Sequence, residues 1–294
     1  MREEHDVKDL RATMKESTTH VAHHYVPEFL LGAWHSGADN KLAQYSWVPK
    51  GLDIQRYTAK AVAKQVHLYS STSASGERDN RVEKDYFGPE IDNKAAPVVR
   101  RLIDMGVDGL TSGQREVWAR FLVAQMVRVP SMLQYFATFA EREFTEGAKA
   151  IASQPGRASF LEYARNNEPH AGANAAVGML ETVIEDEKLN SALLNAKWRI
   201  FQPKNSKFDL LVGDNPLIML GGMSDNFIAA LPLGPRTLFC AASDEGTLGN
   251  IESESHTDVV STVNKDSITK AAKYVYAKDT SQTALVKKYL KKRF

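Results

Sequence analysis

Two adjacent histidines stand directly before an apolar run that opens at a proline, in the stretch His23-His24-Tyr25-Val26-Pro27. Two neighbouring side chains cannot both face the core of one regular element, so one imidazole is expected to bond internally while the other faces a cleft. Imidazole changes charge near neutral pH, which suits it to binding a metal ion or moving a proton. The pair therefore predicts either a functional site or a structural, ligand-positioning pair at the head of a core segment.

The composition is that of an ordinary globular protein. The 294 residues are 43% hydrophobic and 25% charged, with 37 basic and 36 acidic side chains and a net charge of +1. Such a chain can bury a substantial core, and any binding of a polyanion must rely on a local patch. A single cysteine, Cys240, excludes an intramolecular disulfide, and no stretch reads as a signal peptide or a membrane span. We therefore expect a cytoplasmic protein.

The spacing of apolar residues predicts the order of elements. Helices are predicted over residues 23–35, 58–66, 81–104, 112–129, 131–152, 157–166, 172–195, 252–264 and 281–292, and strands over residues 42–47, 54–57, 67–69, 197–202, 209–213, 229–233, 237–242 and 273–277. The order favours an α+β fold, a predominantly helical single domain with a small N-terminal β hairpin and a β-rich C-terminal third. This domain is expected to span residues 20–294, after a polar tail over residues 1–19.

The helix predicted over residues 112–129 carries two polar side chains toward its apolar side, Gln125 and Arg128. A buried arginine is costly without a partner, so a carboxylate, a phosphate or backbone carbonyls must lie near Arg128. Two interpretations stay open for Arg128, an interior ion pair and a substrate-facing cation. Gln125 is a candidate ligand-positioning residue on the same stripe.

An apolar strand that ends in Asp214-Asn215-Pro216 is the second polar element. Asp214 is a candidate metal ligand, base or partner of Arg128, and Asn215 is a candidate for orienting a ligand. Both residue types are also common in turns for structural reasons. Glu83 and Glu90 are seven residues apart on a predicted helix and are candidate ligand-positioning residues. Either carboxylate could pair with Arg128 or join the histidines, and the alternative is a solvated acidic face.

Several of these stretches resemble a large microbial family known as domain of unknown function 4238. The resemblance rests on His-His-Tyr-Val-Pro-x-Phe-x-Leu from His23, Gln-x-x-Arg-x-Pro from Gln125, Asp-Asn-Pro from Asp214, and a late asparagine, Asn264. The stretch after Glu90 is similar to a further family element, with one extra residue in its spacing. Over roughly residues 20–277 the resemblance implies a shared fold and a shared set of site residues, but it supplies no reaction.

We expect His23, His24, Arg128 and Asp214 to converge on a polar cleft that catalyses metal-dependent hydrolysis of phosphodiester bonds in nucleic acid. In this hypothesis a histidine activates water, His24 and Asp214 hold Mg²⁺ or Mn²⁺, and Arg128 offsets phosphate charge. The histidine pair also resembles the first strand of HNH nucleases, although the terminal metal-binding histidine of that motif is missing. By analogy, nuclease-like microbial proteins of this kind often serve in defence against phage or in intermicrobial conflict.

Two other functions stay open at this stage. One is a domain that binds or senses an anionic small molecule without turnover, and the other is a partner-binding protein whose polar cluster is structural. No motif for a nucleotide cofactor is found, since the chain has neither a P-loop nor a strand-linked Gly-x-Gly-x-x-Gly. The oligomeric state is left open.

Overall fold

The computed structural model describes residues 21–223 and 226–292, so the predicted polar tail over residues 1–19 lies outside the described residues. About half of the structure is helical (51%) and 19% is strand, with a small N-terminal sheet and a strand-rich C-terminal region. These proportions confirm the α+β fold class. No helix in the described ranges is both long and apolar enough to cross a membrane.

The histidine pair lies on a strand rather than on a helix. Strand β1 (Ala22–His24) pairs antiparallel with β4 (Lys64–Val66), and the helix predicted over residues 23–35 is reduced to α1 (Glu28–Leu31) and a 3-10 turn. Pro27 explains the late start, because the residue before a proline is pushed toward extended backbone. The helix predicted over residues 58–66 is wrong as well, since that stretch holds a short 3-10 turn and then β4.

Two four-stranded sheets hold most of the remaining strands. The predicted N-terminal hairpin is confirmed, and C-terminal strands extend it into a sheet of order β3-β2-β12-β8. The second sheet has the order β7-β11-β10-β9 and comes entirely from the C-terminal third. The strands are β2 (Leu42–Val48), β3 (Gly51–Tyr57), β5 (Ser71–Thr72), β6 (Arg78–Asp79), β7 (Lys197–Phe201), β8 (Val212–Gly213), β9 (Ile218–Leu220), β10 (Ile228–Gly234), β11 (Thr237–Ala242) and β12 (Val275–Ala277).

Helices fill the middle of the chain, and side-chain caps divide two of the predicted ones. Asp186 caps a new helix within the predicted 172–195 segment, and Ser255 does the same within the predicted 252–264 segment. The helices are α2 (Asn93–Met105), α3 (Ser112–Val127), α4 (Pro130–Ala152), α5 (Phe160–Asn167), α6 (Ala171–Ile184), α7 (Glu187–Asn195), α8 (Glu245–Ser253), α9 (His256–Lys270) and α10 (Thr283–Tyr289).

A π-helical segment, Val82–Asp92, precedes α2 where the sequence predicts a helix bent near Gly88-Pro89. Pro89 has no amide hydrogen and its ring clashes with the carbonyl four residues earlier, so the ordinary α-helical register cannot continue through it. The wider π register accommodates the proline within the helix. The segment ends at Asp92, which it directs toward the C-terminal end of α3.

Helix α3 forms the centre of the main core. Trp118 and Phe121 stack on each other with ring centroids 5.0 Å apart, and Phe239 of β11 meets Trp118 edge-on at 5.4 Å. These rings join the helical region to one face of the second sheet. The opposite face of that sheet packs against α8 and α9, in a separate cluster that includes Cys240 and Val260.

Candidate functional site

His23 is the inward-facing member of the histidine pair and has no exposed surface. Its ring stacks on Tyr69 with centroids 5.4 Å apart, and its Nδ1 accepts a hydrogen bond from the Tyr69 N–H at 2.9 Å. Burial lowers the pKa of His23 from 6.5 to about 4, although the side chain of Asn80 acts to raise it. The imidazole is therefore neutral at pH 7, with the hydrogen on Nε2.

His24 points to the opposite face of β1 and is only half-buried. Its Nε2 lies 3.2 Å from the carbonyl oxygen of Lys60, and a carbonyl only accepts, so Nε2 donates and Nδ1 keeps the lone pair. Burial lowers the pKa of His24; the hydrogen bond to the Lys60 carbonyl opposes this shift, Lys64 adds to it, and Glu28 opposes it. The net shift is downward, so His24 is a neutral imidazole at pH 7 with the lone pair on Nδ1.

Arg128 lies directly behind His24 with no exposed surface. Its Nη1 donates to Asp92 Oδ1 at 2.7 Å, and its Nη2 donates to Asp92 Oδ2 at 3.2 Å and to the His24 carbonyl at 2.6 Å. The guanidinium also lies 4.5 Å from the centroid of the Phe87 ring. The predicted need of Arg128 for a carboxylate or a carbonyl is confirmed, and its carboxylate partner is Asp92 rather than Glu83, Glu90 or Asp214.

Tyr69 connects the two halves of this cluster, because its hydroxyl donates to the Arg128 carbonyl at 2.6 Å while its N–H bonds to His23. The structure thereby brings together three of the four predicted catalytic residues, His23, His24 and Arg128. The sequence reasoning missed Tyr69 and Asp92, which complete the cluster.

Glu83 lies beside the Arg128–Asp92 pair, and its Oε2 is buried without a hydrogen-bond partner among the described residues. Burial raises the pKa of Glu83 from 4.5 to about 7; Arg128 opposes this shift and Asp92 adds to it. Gln125, one turn before Arg128 on α3, is fully buried, and neither of its amide atoms has a partner in the described part of the chain. Both side chains therefore hold unused hydrogen-bonding capacity, which is uncommon in a protein interior.

Asp214 is positioned at the end of β8, where it fixes the turn between α9 and β12. Its carboxylate accepts hydrogen bonds from three consecutive backbone amides, those of Ala272, Lys273 and Tyr274, at 2.6, 2.8 and 2.9 Å. The backbone N–H of Asp214 in turn donates to the Tyr274 carbonyl at 2.9 Å. This arrangement is a capped turn, which was the structural alternative for this motif.

The other candidate positioning residues lie apart from the histidines. Glu90 pairs with Lys94 one turn later on the helix surface. The buried amide of Asn264 accepts from the Leu211 N–H at 2.8 Å and donates to the Asp209 carbonyl at 2.8 Å, so it ties α9 to the chain before β8. Asn215 is half-buried next to Asp214.

The two predicted metal ligands each bond to backbone groups of the protein. Both oxygens of Asp214 accept backbone N–H groups, and Nε2 of His24 faces the Lys60 carbonyl. Within residues 21–223 and 226–292, no group of three or more His, Cys, Asp or Glu side chains is arranged to hold a metal ion.

The fold and the site define an α+β protein in which a strand carries one buried and one surface-facing histidine in front of a paired arginine. A family model matches residues 22–281, and the chain belongs to that family, which is described as "Protein of unknown function (DUF4238)". No curated protein and no solved structure matches the chain.

Proposed function

We propose that this protein cleaves phosphodiester bonds in nucleic acid, with His24 as the general base. The observation that carries the proposal is the His24 imidazole, neutral at pH 7 and fixed by the Lys60 carbonyl with the lone pair on Nδ1. General-base catalysis requires a proton acceptor whose pKa lies near or below the working pH. Among the predicted catalytic residues, His24 combines this protonation state with partial exposure.

A cross-strand lysine makes the surroundings of His24 suitable for an anionic substrate. Lys64 is the direct cross-strand partner of His24 in the β1–β4 pair, so both side chains project from the same face. Lys60 supplies the carbonyl that holds the imidazole, and both lysine side chains are exposed. Within the described residues, Glu28 is the acidic group that acts on the pKa of His24, and Lys64 is the lysine whose charge acts on it. A phosphate beside His24 would thus meet the Lys64 ammonium group, which favours its negative charge.

Arg128 supports this site from behind instead of contacting the substrate. Both of its terminal nitrogens are used by Asp92 and by the His24 carbonyl, which fixes the backbone of His24 against the core. We therefore assign Arg128 as a positioning residue. The same reasoning separates Asp214 from the reaction, because its carboxylate is used by backbone amides.

These contacts favour RNA as the substrate. RNA carries a 2′-hydroxyl next to each phosphorus, which a neutral imidazole can activate, whereas DNA offers no such internal nucleophile. In the proposed step His24 Nδ1 takes the 2′-hydroxyl proton, O2′ bonds to phosphorus, and the bond from phosphorus to O5′ breaks. The departing O5′ takes a proton from water, and the products are a 2′,3′-cyclic phosphate and a 5′-hydroxyl end. Lys64, the cross-strand partner of His24, stabilises the charge on the non-bridging oxygens.

The test uses labelled RNA and DNA of one sequence, each incubated with EDTA, Mg²⁺ or Mn²⁺. We expect cleavage of RNA in EDTA with a cyclic phosphate end, and intact DNA. The rate should rise with pH and then level off, with the midpoint of the rise below pH 6.5, because the pKa of His24 is lowered from that value. His24→Gln keeps a donor for the Lys60 carbonyl and should lower the rate about 100-fold or more.

His170→Gln serves as the matched control, since His170 lies at the start of α6 and outside the cluster. Thermal unfolding of each variant is measured to check that the fold is retained. Intact RNA under every condition would refute hydrolysis. Saturable binding of the RNA without cleavage would then favour the anion-binding alternative. Cleavage of DNA that needs both a metal ion and His24 would return the site to the metal-dependent hypothesis.

A further inference from the structure

A cavity of about 380 Å³ lies between the second sheet and helices α8 and α9, and its lining includes neither His23 nor His24. Its floor consists of side chains that alternate along three neighbouring strands and therefore share one face of the sheet. The strand residues that line it are Ile218, Leu220, Ile228, Ala230, Leu238 and Cys240. This volume falls within the range of pockets that hold small ligands.

Acidic side chains surround the apolar floor. Glu254 follows α8, Asp258 lies in the first turn of α9, and Asp266 lies two turns later on the same helix. None of the three forms a salt bridge within the described part of the chain, and no lysine, arginine or histidine lines the cavity. Lys270 does not line the cavity, and its Nζ donates to the carbonyl of Met219 at 2.6 Å, on the strand that carries Ile218 and Leu220.

We propose that this cavity binds a small organic cation, an ammonium group carried on an aliphatic or aromatic body. The apolar floor favours the body because burial removes apolar surface of both partners from water. The acidic rim selects the charge, since opposite charges attract and a carboxylate ligand would face three like charges. Leu220, which is 43% exposed at the mouth, is a large apolar side chain that such a ligand would cover.

The test is isothermal titration with three probes that share one tail, octylamine, octanol and octanoate, all kept below micelle-forming concentrations. We expect saturable binding of octylamine, at least about tenfold tighter than that of octanoate, which corresponds to about 1.4 kcal/mol. Octanol should lie between the two, because it keeps the tail and carries no charge.

Two variants separate the contribution of charge from that of the cavity. Combining Glu254→Gln with Asp266→Asn should bring the affinities for octylamine and octanoate within about threefold of each other. The reason is that each substitution removes one attraction between a carboxylate and the ammonium group, which is worth a fraction of a kcal/mol at an exposed rim. Ala230→Leu fills the floor and should weaken all three probes together. The control, Glu162→Gln on α5, removes an exposed acid outside the cavity and should leave every affinity unchanged.

Equal affinities of the unmodified protein for octylamine and octanoate would overturn the proposal, since the rim would then have no role in selection. Binding that does not saturate, or that Ala230→Leu leaves unchanged, would overturn it as well, because the probe would be bound elsewhere. Neither result bears on cleavage of nucleic acid at His24, which uses different residues.

Discussion

Replacing Asp92 by alanine should destabilise the protein strongly, because it leaves the Arg128 guanidinium buried without its counter-ion. The wild-type pair makes two hydrogen bonds, at 2.7 and 3.2 Å, and Arg128 has no exposed surface. Breaking a buried ion pair from one side costs about 3–5 kcal/mol. The Asp92 side chain is 20% exposed and Arg128 keeps the His24 carbonyl, so we expect the lower end, about 3 kcal/mol.

Urea unfolding measured by circular dichroism determines this loss, with the slope of the free energy against urea compared between variants. Glu90→Ala is the matched control on the same π-helical segment, since Glu90 pairs with Lys94 at the surface and its loss should leave stability within error of wild type. A double variant, Asp92→Leu with Arg128→Met, removes both charges and should recover much of the loss.

A destabilisation below about 1 kcal/mol for Asp92→Ala would refute the reasoning, because such a value is typical of a surface salt bridge. A double variant as unstable as the sum of the two single variants would also refute it. Additive losses would mean that the two side chains act independently rather than as a buried pair.

Three further predictions concern the same region and use the same unfolding assay. Glu83→Gln should stabilise the protein by about 3 kcal/mol at pH 8 and leave it unchanged at pH 4.5, because a folded-state pKa near 7 makes wild-type stability fall as pH rises from about 4.5 to 7. An equal effect at both pH values would contradict the raised pKa of Glu83. His23→Phe should lower the free energy of unfolding by about 1–3 kcal/mol at pH 7, because the Tyr69 N–H loses its acceptor. The wild type should lose stability as pH falls from about 6.5 to 4, because the pKa of His23 is lowered in the folded state, and His23→Phe should remove this pH dependence. Asp214→Ala should cost about 3 kcal/mol, since three backbone amides lose their acceptor; retained stability together with lost cleavage would instead assign Asp214 to the reaction.

The sequence predicts the elements best where a single periodicity governs a long segment. The helices over residues 112–127 and 130–152 and the strand Thr237–Ala242 lie within about two residues of their predicted bounds. Short elements fail where tertiary pairing decides the backbone. The sequence predicts a helix at β4 because this segment has no periodicity of its own. In the structure its backbone is extended and pairs with β1.

Part of the site follows from physical necessity and part does not. A buried Arg128 requires an acceptor, and that inference holds without any structure. Which acid provides it depends on the π-helical register after Arg81, which rotates Asp92 toward α3 and leaves Glu90 at the surface. A sequence read at 3.6 residues per turn cannot foresee that rotation, although the proline within the segment signals that the register changes.

The proposed base is distinguished from its neighbour by strand register alone. His23 and His24 have the same side chain, yet one stacks on Tyr69 with a pKa lowered to about 4 and the other stands half-buried opposite Lys64. Because side chains alternate along a strand, a slip of one residue between β1 and β4 would exchange the two environments. Arg128 opposes such a slip, because its side chain donates a hydrogen bond to the His24 carbonyl and so fixes β1 against the core. The Tyr69 hydroxyl in turn donates to the Arg128 carbonyl and holds the arginine in place. The buried cluster therefore contributes to the proposed reaction by determining which of the two imidazoles faces Lys64.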